Sequence, residues 1–394
     1  MIAASASPAA AKMTEHSRFS AEIDHSLIWA SLLLLALGLV MVYSASFAYA
    51  ESNNLASEHY LWRHTIFLCV GLICAFSAFQ ISIEDWQKAA PWLFIFGLFL
   101  LFIVLIPGIG KNVNGAYRWI DLGVVSPQPS ELMKLCCVLY VADFAVRKRE
   151  FMEDFKRAFL PMLAVMALIG VLLKLEPDVG ALLMMLAIIM GILFMGGLNI
   201  WIFMRLAICL MLILPPLILF SSYVYDRFNA WLNPHNFLDS AGYQSFHAKL
   251  AFWRGGWSGS GLGGSVEKHL YLPEAHTDYL FAVVGEELGL PGLLLVITLF
   301  IVIVRRAFAI GRLCVDLDRL YPALLAMGIG FWIGLQAFIN MGVNVNLLPV
   351  TGMTLPFMSY GGSGLVVNCV ALGILLRVDW ENRRLMQRGR SRPC

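Results

Sequence analysis

Tyr279–Arg305 reads YLFAVVGEELGLPGLLLVITLFIVIVR. The run is too long for one comfortable membrane span, which takes about 20 apolar residues to cross a hydrocarbon core of about 30 Å. It also contains Gly285, Glu286, Glu287, Gly289 and Pro291. Two carboxylates beside a proline should not face lipid, so the run divides into a short helix, about 278–288, and a true span behind it. The chain before the break therefore folds back onto other protein.

Working outward, similar apolar blocks recur along all 394 residues, of which 59% are hydrophobic and 14% charged. Soluble domains carry about 25% charged residues. The fold expected is all-α, a polytopic membrane protein with ten transmembrane helices: about 27–49, 62–80, 91–107, 131–146, 159–174, 179–196, 200–221, 287–305, 322–344 and 357–376. Residues 1–26 read as a disordered cytoplasmic tail, 27–378 as the membrane domain and 379–394 as a basic cytoplasmic tail. Residues 222–286 form one large periplasmic loop between helices 7 and 8, a length usual for functional loops.

Even spans place both termini on one side. Eighteen Lys and Arg residues fall on that side, including Arg147, Lys148 and Arg149, against seven on the other, including Lys111, Arg118, Lys174, Arg227 and Lys268. Retained loops accumulate positive charge, so both termini are expected in the cytoplasm. The net charge of +2 and the lack of any basic run interleaved with aromatics argue against nucleic acid as a partner. The cysteines, mostly inside apolar stretches and without a Cys-x-x-Cys pair, read as small core residues.

Four outer segments collect polar groups. The first is NGAYRWIDLG (Asn114–Gly123) followed by QPSELMK (Gln128–Lys134), where Glu131 and Lys134 are spaced to pair as they enter the bundle, with Ser130 as a cap. The second is Lys174-Leu-Glu176-Pro-Asp178, which suits a tight turn without any chemistry. The third holds GGWSGSGLGGS (Gly255–Ser265), Lys268 and Leu272-Pro-Glu-Ala-His276-Thr-Asp278. Its glycines permit close backbone approach and could offer amides to phosphate oxygens. Asp278 is either a dipole-stabilising carboxylate on a helix capped by Thr277 or a general base. As a base it needs burial or a neighbour to offset the helix N-terminus, and Glu286 and Glu287 do not share its helix face. The fourth runs from Asn340, Asn344 and Asn346 through LLPVTGMTLPFMSYGGSG (Leu347–Gly364), with Ser359 and Ser363. Its prolines and glycines indicate non-helical backbone, tolerated at membrane depth where it lines a polar cavity.

These motifs, in this order from about Ser26 to Val378, resemble the SEDS family of shape, elongation, division and sporulation proteins, and most closely its division branch. The strongest match is LPEAHTDYLFAVVGEELG (Leu272–Gly289). The resemblance implies an inverting peptidoglycan glycosyltransferase that polymerises lipid II into septal glycan strands, with undecaprenyl pyrophosphate leaving. It carries the catalytic aspartate onto Asp278. It implies Arg118, Lys134 and Lys174 as candidates to hold pyrophosphate, with Glu131, Asp178, His276, Ser359 and Ser363 as further substrate contacts and a divalent cation, Mg or Mn, as a possible cofactor. The implied partners are the growing glycan strand, a class B penicillin-binding protein transpeptidase, other division proteins and the membrane. The implied place is the bacterial inner membrane at the septum. Two readings stand beside it: a lipid II flippase, and the elongation paralogue with the same chemistry. Three residues depart from the family pattern: Asn346 where glycine is expected, Arg254 where a small residue is commoner, and Gly364 where serine is usual.

Overall fold

The computed structural model describes residues 23–113, 116–123, 125–151, 160–205, 208, 212, 222–232 and 242–390. The expected N-terminal tail therefore lies almost wholly outside the described residues, as does most of the seventh span beyond 205. The described helices are α1 (His25–Ser52), α2 (His59–Gln80), α3 (Ile83–Ile103), α4 (Pro129–Arg147), α5 (Leu160–Leu175), α6 (Val179–Met195), α7 (Ser222–Leu232), α8 (Tyr243–Gly255), α9 (Leu280–Asp316), α10 (Leu320–Asn344) and α11 (Gly362–Arg390). Nine of the ten expected spans coincide with one of these. Six described helices are long and apolar enough to cross a membrane, α1, α2, α3, α9, α10 and α11, and α5 and α6 are shorter apolar helices. This is a polytopic helical membrane protein.

Helix α4 is less apolar for a physical reason. It is buried almost all round, and its polar residues Lys134 and Asp143 face protein instead of lipid. Around it pack α3, α6 and α10, while α9 lies against α1 and α10, and α11 against α2. The all-α expectation needs one amendment: β1 (Gly110–Val113) and β2 (Ala116–Ile120) form an antiparallel hairpin between α3 and α4. Its backbone satisfies its own hydrogen bonds where the chain leaves the bundle.

The division of the 279–305 run is present and sharper than expected. Helix α9 is interrupted at Gly289, at φ 63° and ψ −159°, with Pro291 just beyond. Glycine is required there twice over. The φ is left-handed, and a Cβ would stand 2.3 Å from the amide nitrogen of Gly259. The glycine-rich loop closes against this break: Ser260 N donates to Glu286 O, Gly261 N to Glu287 O, and Leu290 N to Gly256 O. The amides of Ser260 and Gly261 thus satisfy carbonyls freed by the kink, which gives this part of the glycine run a structural role.

Glu286 and Glu287 are buried, as argued from their sequence. Glu286 accepts from Ser265 Oγ at 2.5 Å and Val266 N at 2.9 Å. Glu287 accepts from Ser44 Oγ at 2.6 Å and from Lys268 Nζ at 2.8 Å. Arg254 and His247 both pair with Glu267, which accounts for an arginine at that departure from the family pattern. The outer loop is therefore anchored to α9 by the Lys268–Glu287 pair and to α1 through Ser44, while Trp253 and Trp257 remain exposed on it. At the other end, α11 continues as helix through Arg390, so the segment from 379 is a helical extension. It is docked through Arg319, which pairs with Glu381 and bonds Asn382, and through Arg377, which donates to Phe79 O, while Arg383–Asp379 and Arg377–Glu381 are pairs within the helix itself.

Candidate active site

The backbone around Asp278 differs from the expected capped helix. Residues 274–279 form turns, and α9 begins only at Leu280, with Tyr279 as a cap that makes no side-chain bond. Thr277 Oγ donates to Glu274, to its carbonyl at 3.2 Å and its carboxylate at 2.7 Å, so it does not cap the helix. Asp278 sits two residues ahead of the helix. Its carboxylate is hydrogen-bonded by no described residue, and its carbonyl oxygen accepts from Asn340 Nδ2 and Asn344 Nδ2, both at 2.9 Å.

This placement resolves the conflict over basicity. Burial is the main cause that raises the Asp278 carboxyl from its ordinary 3.8 to about 7, and the Glu274 carboxylate adds to it. Arg227 and Arg118 oppose the shift without cancelling it. A carboxylate held near neutrality is well matched to taking a proton from a hydroxyl.

Asp278 faces a cavity of about 810 Å³. The wall brings together Arg63, Lys111, Arg118, Glu131, Arg227, Glu274 and Ser363 with the backbone at Gly352 and Gly361–Gly364. Those loops supply main chain to the wall because glycines keep side chains out. Gly352, at φ +75°, lies where a Cβ would be 3.7 Å from Asp278 Oδ2. Arg118, from β2, donates to the carbonyls of Glu176 and Pro177. It is oriented by main chain and not by a carboxylate, so its charge remains available to an anion in the cavity.

The other predicted site residues divide. Glu131 lines the cavity, and its Oε1 accepts from Lys134 Nζ at 2.8 Å. Lys134 itself is 2% exposed, bonds Gln336 Oε1 at 2.8 Å and does not reach the cavity wall. It compensates Glu131 and ties α4 to α10. Ser130 is not a cap; the cap position is Gln128, and Ser130 Oγ lies 3.5 Å from Asp178 Oδ2. Asp178 caps α6 by accepting from Ala181 N at 3.1 Å and receives Gln128 Nε2, which is the bland turn-and-cap reading. Lys174 is exposed in the last turn of α5 and is not brought to the cavity. His276 is buried among the rings of Tyr49, Tyr60 and Tyr360, and burial lowers its pKa. Ser359 Oγ accepts from Leu355 N inside a turn, and Ser363 Oγ accepts from Gln128 N at the cavity edge.

Arg63, Arg227 and Glu274 were not singled out from sequence as site residues. Arg63 sits in α2, read as a span edge, and Arg227 sits in α7, inside a loop with no motif of its own. Arg227 also donates to Val350 O, so it holds the cavity wall from the outer side. Glu274 stood inside the strongest motif and could have been found as the nearest acid to Asp278. The remaining departures are explained by geometry. Asn346 has φ +60°, a left-handed position that asparagine tolerates better than most residues. At Gly364 a Cβ would lie 3.0 Å from Glu131 Oε2, so glycine leaves room beside that carboxylate.

The described His, Cys, Asp and Glu residues form no group of three able to hold a metal ion. The donor set around the cavity, mostly guanidinium groups and separated carboxylates, does not fit a protein-bound divalent cation.

Comparison with known proteins gives one consistent picture. The family model of cell cycle proteins that covers FtsW, RodA and SpoVE matches residues 25–384. A "Probable peptidoglycan glycosyltransferase FtsW" of Aromatoleum aromaticum is 53% identical over 367 residues, 92% of this chain and 90% of that protein. The like-named protein of Burkholderia thailandensis is 51% identical over 94% of this chain and 81% of its own length. Among solved structures, a chain of a peptidoglycan synthase complex that coordinates polymerization and crosslinking superimposes with a TM-score of 0.75 at 29% identity, covering 91% of this chain and 98% of that one. The rod shape determining protein RodA of Thermus thermophilus gives 0.63 at 27% identity, over 94% and 98%.

Proposed function

Because the chain belongs to the FtsW/RodA/SpoVE family of cell cycle proteins, we propose that it is a peptidoglycan glycosyltransferase that polymerises lipid II, with Asp278 as its general base. The observation that carries the reading is the Asp278 carboxylate, hydrogen-bonded by no described residue, lifted to about 7 and facing a cavity walled by Arg63, Arg118 and Arg227. Base and cations are what one displacement at a glycosyl pyrophosphate needs.

In that reaction the 4-hydroxyl of an acceptor N-acetylglucosamine attacks the anomeric carbon of the donor's N-acetylmuramic acid. Asp278 takes the hydroxyl proton as the new C–O bond forms. The bond to the pyrophosphate oxygen breaks with its electron pair, and undecaprenyl pyrophosphate leaves carrying the charge. A single displacement inverts the anomeric centre. The guanidinium groups stabilise charge developing on the leaving group, fixed in place before the reaction begins. Arg118 is the leading candidate because main chain holds it without spending its charge. Lys134 and Lys174 are assigned no contact with pyrophosphate. No step is routed through a metal ion.

The cavity end of the bundle is proposed to face the periplasm, with both termini in the cytoplasm and the protein at the division septum. Its similarity to a chain of a peptidoglycan synthase complex supports a class B penicillin-binding protein as the crosslinking partner.

The test reconstitutes the full chain with a partner transpeptidase in vesicles carrying labelled lipid II. Polymer is read on a gel and lipid movement across the vesicle is read separately. Wild type should make polymer and Asp278→Asn should not. Normal polymerisation by Asp278→Asn would remove the base assignment. Lipid movement with no polymer under any partner would replace the enzyme by a flippase.

A further inference from the structure

We infer that Asn340 and Asn344 of α10 are positioning residues that fix the backbone of Asp278 and so aim its carboxylate into the cavity. The inference rests on the reading of Asp278 as the base. The two asparagines are four apart, which places them one above the other on a single helix face. Both are buried, at 1% and 0% exposure, in a helix whose other buried residues are, apart from Gln336, mainly apolar.

Their amides are used fully and on particular targets. Asn340 Nδ2 donates to Asp278 O at 2.9 Å and to Met353 O at 2.7 Å. Asn344 Nδ2 donates to Asp278 O at 2.9 Å, and Asn344 Oδ1 accepts from Ala282 N at 3.0 Å. Asn344 therefore caps α9 from a neighbouring helix, in the role that Thr277 does not fill. Asn340 links the Asp278 backbone to the Gly352–Met353 wall opposite it. One turn earlier Gln336 Nε2 donates to Thr354 O at 3.0 Å, continuing the same face along the same wall.

The carboxylate of Asp278 has no hydrogen bond from a described residue to orient it, so its direction is set by its main chain. Both lone pairs of its carbonyl are taken by α10, the helix packed directly against α9. Catalytic groups must be held within about 0.5 Å of productive geometry by residues that are themselves locked. A displacement of about 1 Å can cost about 100-fold in rate.

A merely structural role would be to satisfy buried carbonyls, and the experiment separates the two. Asn340→Leu and Asn344→Leu remove the amides at similar volume. Leu325→Ala, a cavity at the far end of the same helix, destabilises α10 without touching Asp278. Each full-length variant is reconstituted with the partner transpeptidase and labelled lipid II. Turnover per folded molecule, KM and deuterium uptake by peptides covering 277–284 are measured, with Asp278→Asn in parallel. The leucine variants should lose about 10- to 100-fold in kcat with KM within about threefold, and uptake at 277–284 should rise. Because both bond one carbonyl, the double variant should lose far less than the product of the single losses. Leu325→Ala should lower thermal stability with kcat unchanged. Where leucine prevents folding, Asn340→Ser and Asn344→Ser carry the same prediction.

Leucine variants that keep wild-type kcat, or that change KM alone, would overturn the inference. So would a kcat loss matched by Leu325→Ala at equal destabilisation. If Asp278→Asn is inactive while the asparagine variants are normal, positioning fails and the base assignment stands. If Asp278→Asn is active, the base assignment fails first.

Discussion

At the end of the bundle where α1 begins and α11 finishes, carboxylates are matched with arginines: Asp24 with Arg306, Asp143 with Arg147, Asp379 with Arg383, and Glu381 with both Arg319 and Arg377. At the cavity end the acids are left over. Asp278 has no described hydrogen-bond partner on its carboxylate, Glu131 keeps Oε2 unbonded beyond its pair with Lys134, and neither carboxylate oxygen of Glu176 is bonded. Burial, aided by the Asp178 charge, raises Glu176 to about 9, so it stands neutral at pH 7. Arginines are abundant at both ends, so the contrast is not one of composition. It lies in whether the bundle gives each charge a partner or reserves it. Paired charges brace single helices or, as in Asp24–Arg306 and Glu381–Arg319, join neighbouring elements, whereas unpaired ones with shifted pKa values in a cleft mark chemistry.

The largest expected effect breaks the contrast at its centre. Asp278→Asn should lower the rate of glycan polymerisation by about 10²–10⁴-fold, the usual share of a general base, while the yield of folded protein is kept. Next comes the outer loop, where charges are paired as they are at the other end. Lys268→Met leaves Glu287, at 0% exposure, as a buried charge with one neutral partner. Denaturation in detergent should show a loss of about 3–5 kcal/mol. Lys268→Met together with Glu287→Leu should lose less, since no charge is then stranded.

A third prediction follows from proton linkage. The Asp278 pKa is raised on folding, from 3.8 to about 7. The folded state then binds more protons between those values, and its stability falls as pH rises through that window. Asp278→Asn escapes this penalty. Its melting temperature should exceed that of wild type above pH 7, and the gain should shrink as pH falls towards 4. The smallest effect is expected at Glu131, whose Oε1 is paired with Lys134 and whose Oε2 has no bond from a described residue. Gly364→Ser adds a donor beside Glu131 Oε2 but crowds it, so stability should change by no more than about 1 kcal/mol with turnover retained.

Much of this architecture was legible in the residues. Apolar blocks gave nine helices close to their observed places, and Glu286, Glu287, Gly289 and Pro291 together gave the break in α9. Where sequence reasoning failed, a side chain had found a distant partner. Thr277 was read as a cap from local spacing, yet Asn344, sixty-seven residues on, supplies it. The glycine run suits phosphate by composition, yet the amides of Ser260 and Gly261 are taken up by the kink at Gly289. The family resemblance makes Lys134 a candidate to hold pyrophosphate, yet its ammonium bonds Glu131, as the spacing allows, and Gln336 across the bundle. Asp178 caps α6 and receives Gln128, and Lys174 is exposed at the end of α5, away from the cavity wall. The basicity of Asp278 could not be read from helix position because it depends on where α9 starts. Two residues of turn remove it from the helix, and surrounding protein then sets its pKa.

The most direct measurement is the pH dependence of kcat/KM for lipid II polymerisation by the reconstituted wild type. If Asp278 is the base and its ionised form acts, the rate should rise with pH on a limb whose midpoint lies near 7, the value set by its burial. A limb near 4, the range of an ordinary exposed carboxylate, or a profile flat through neutrality, would contradict the account.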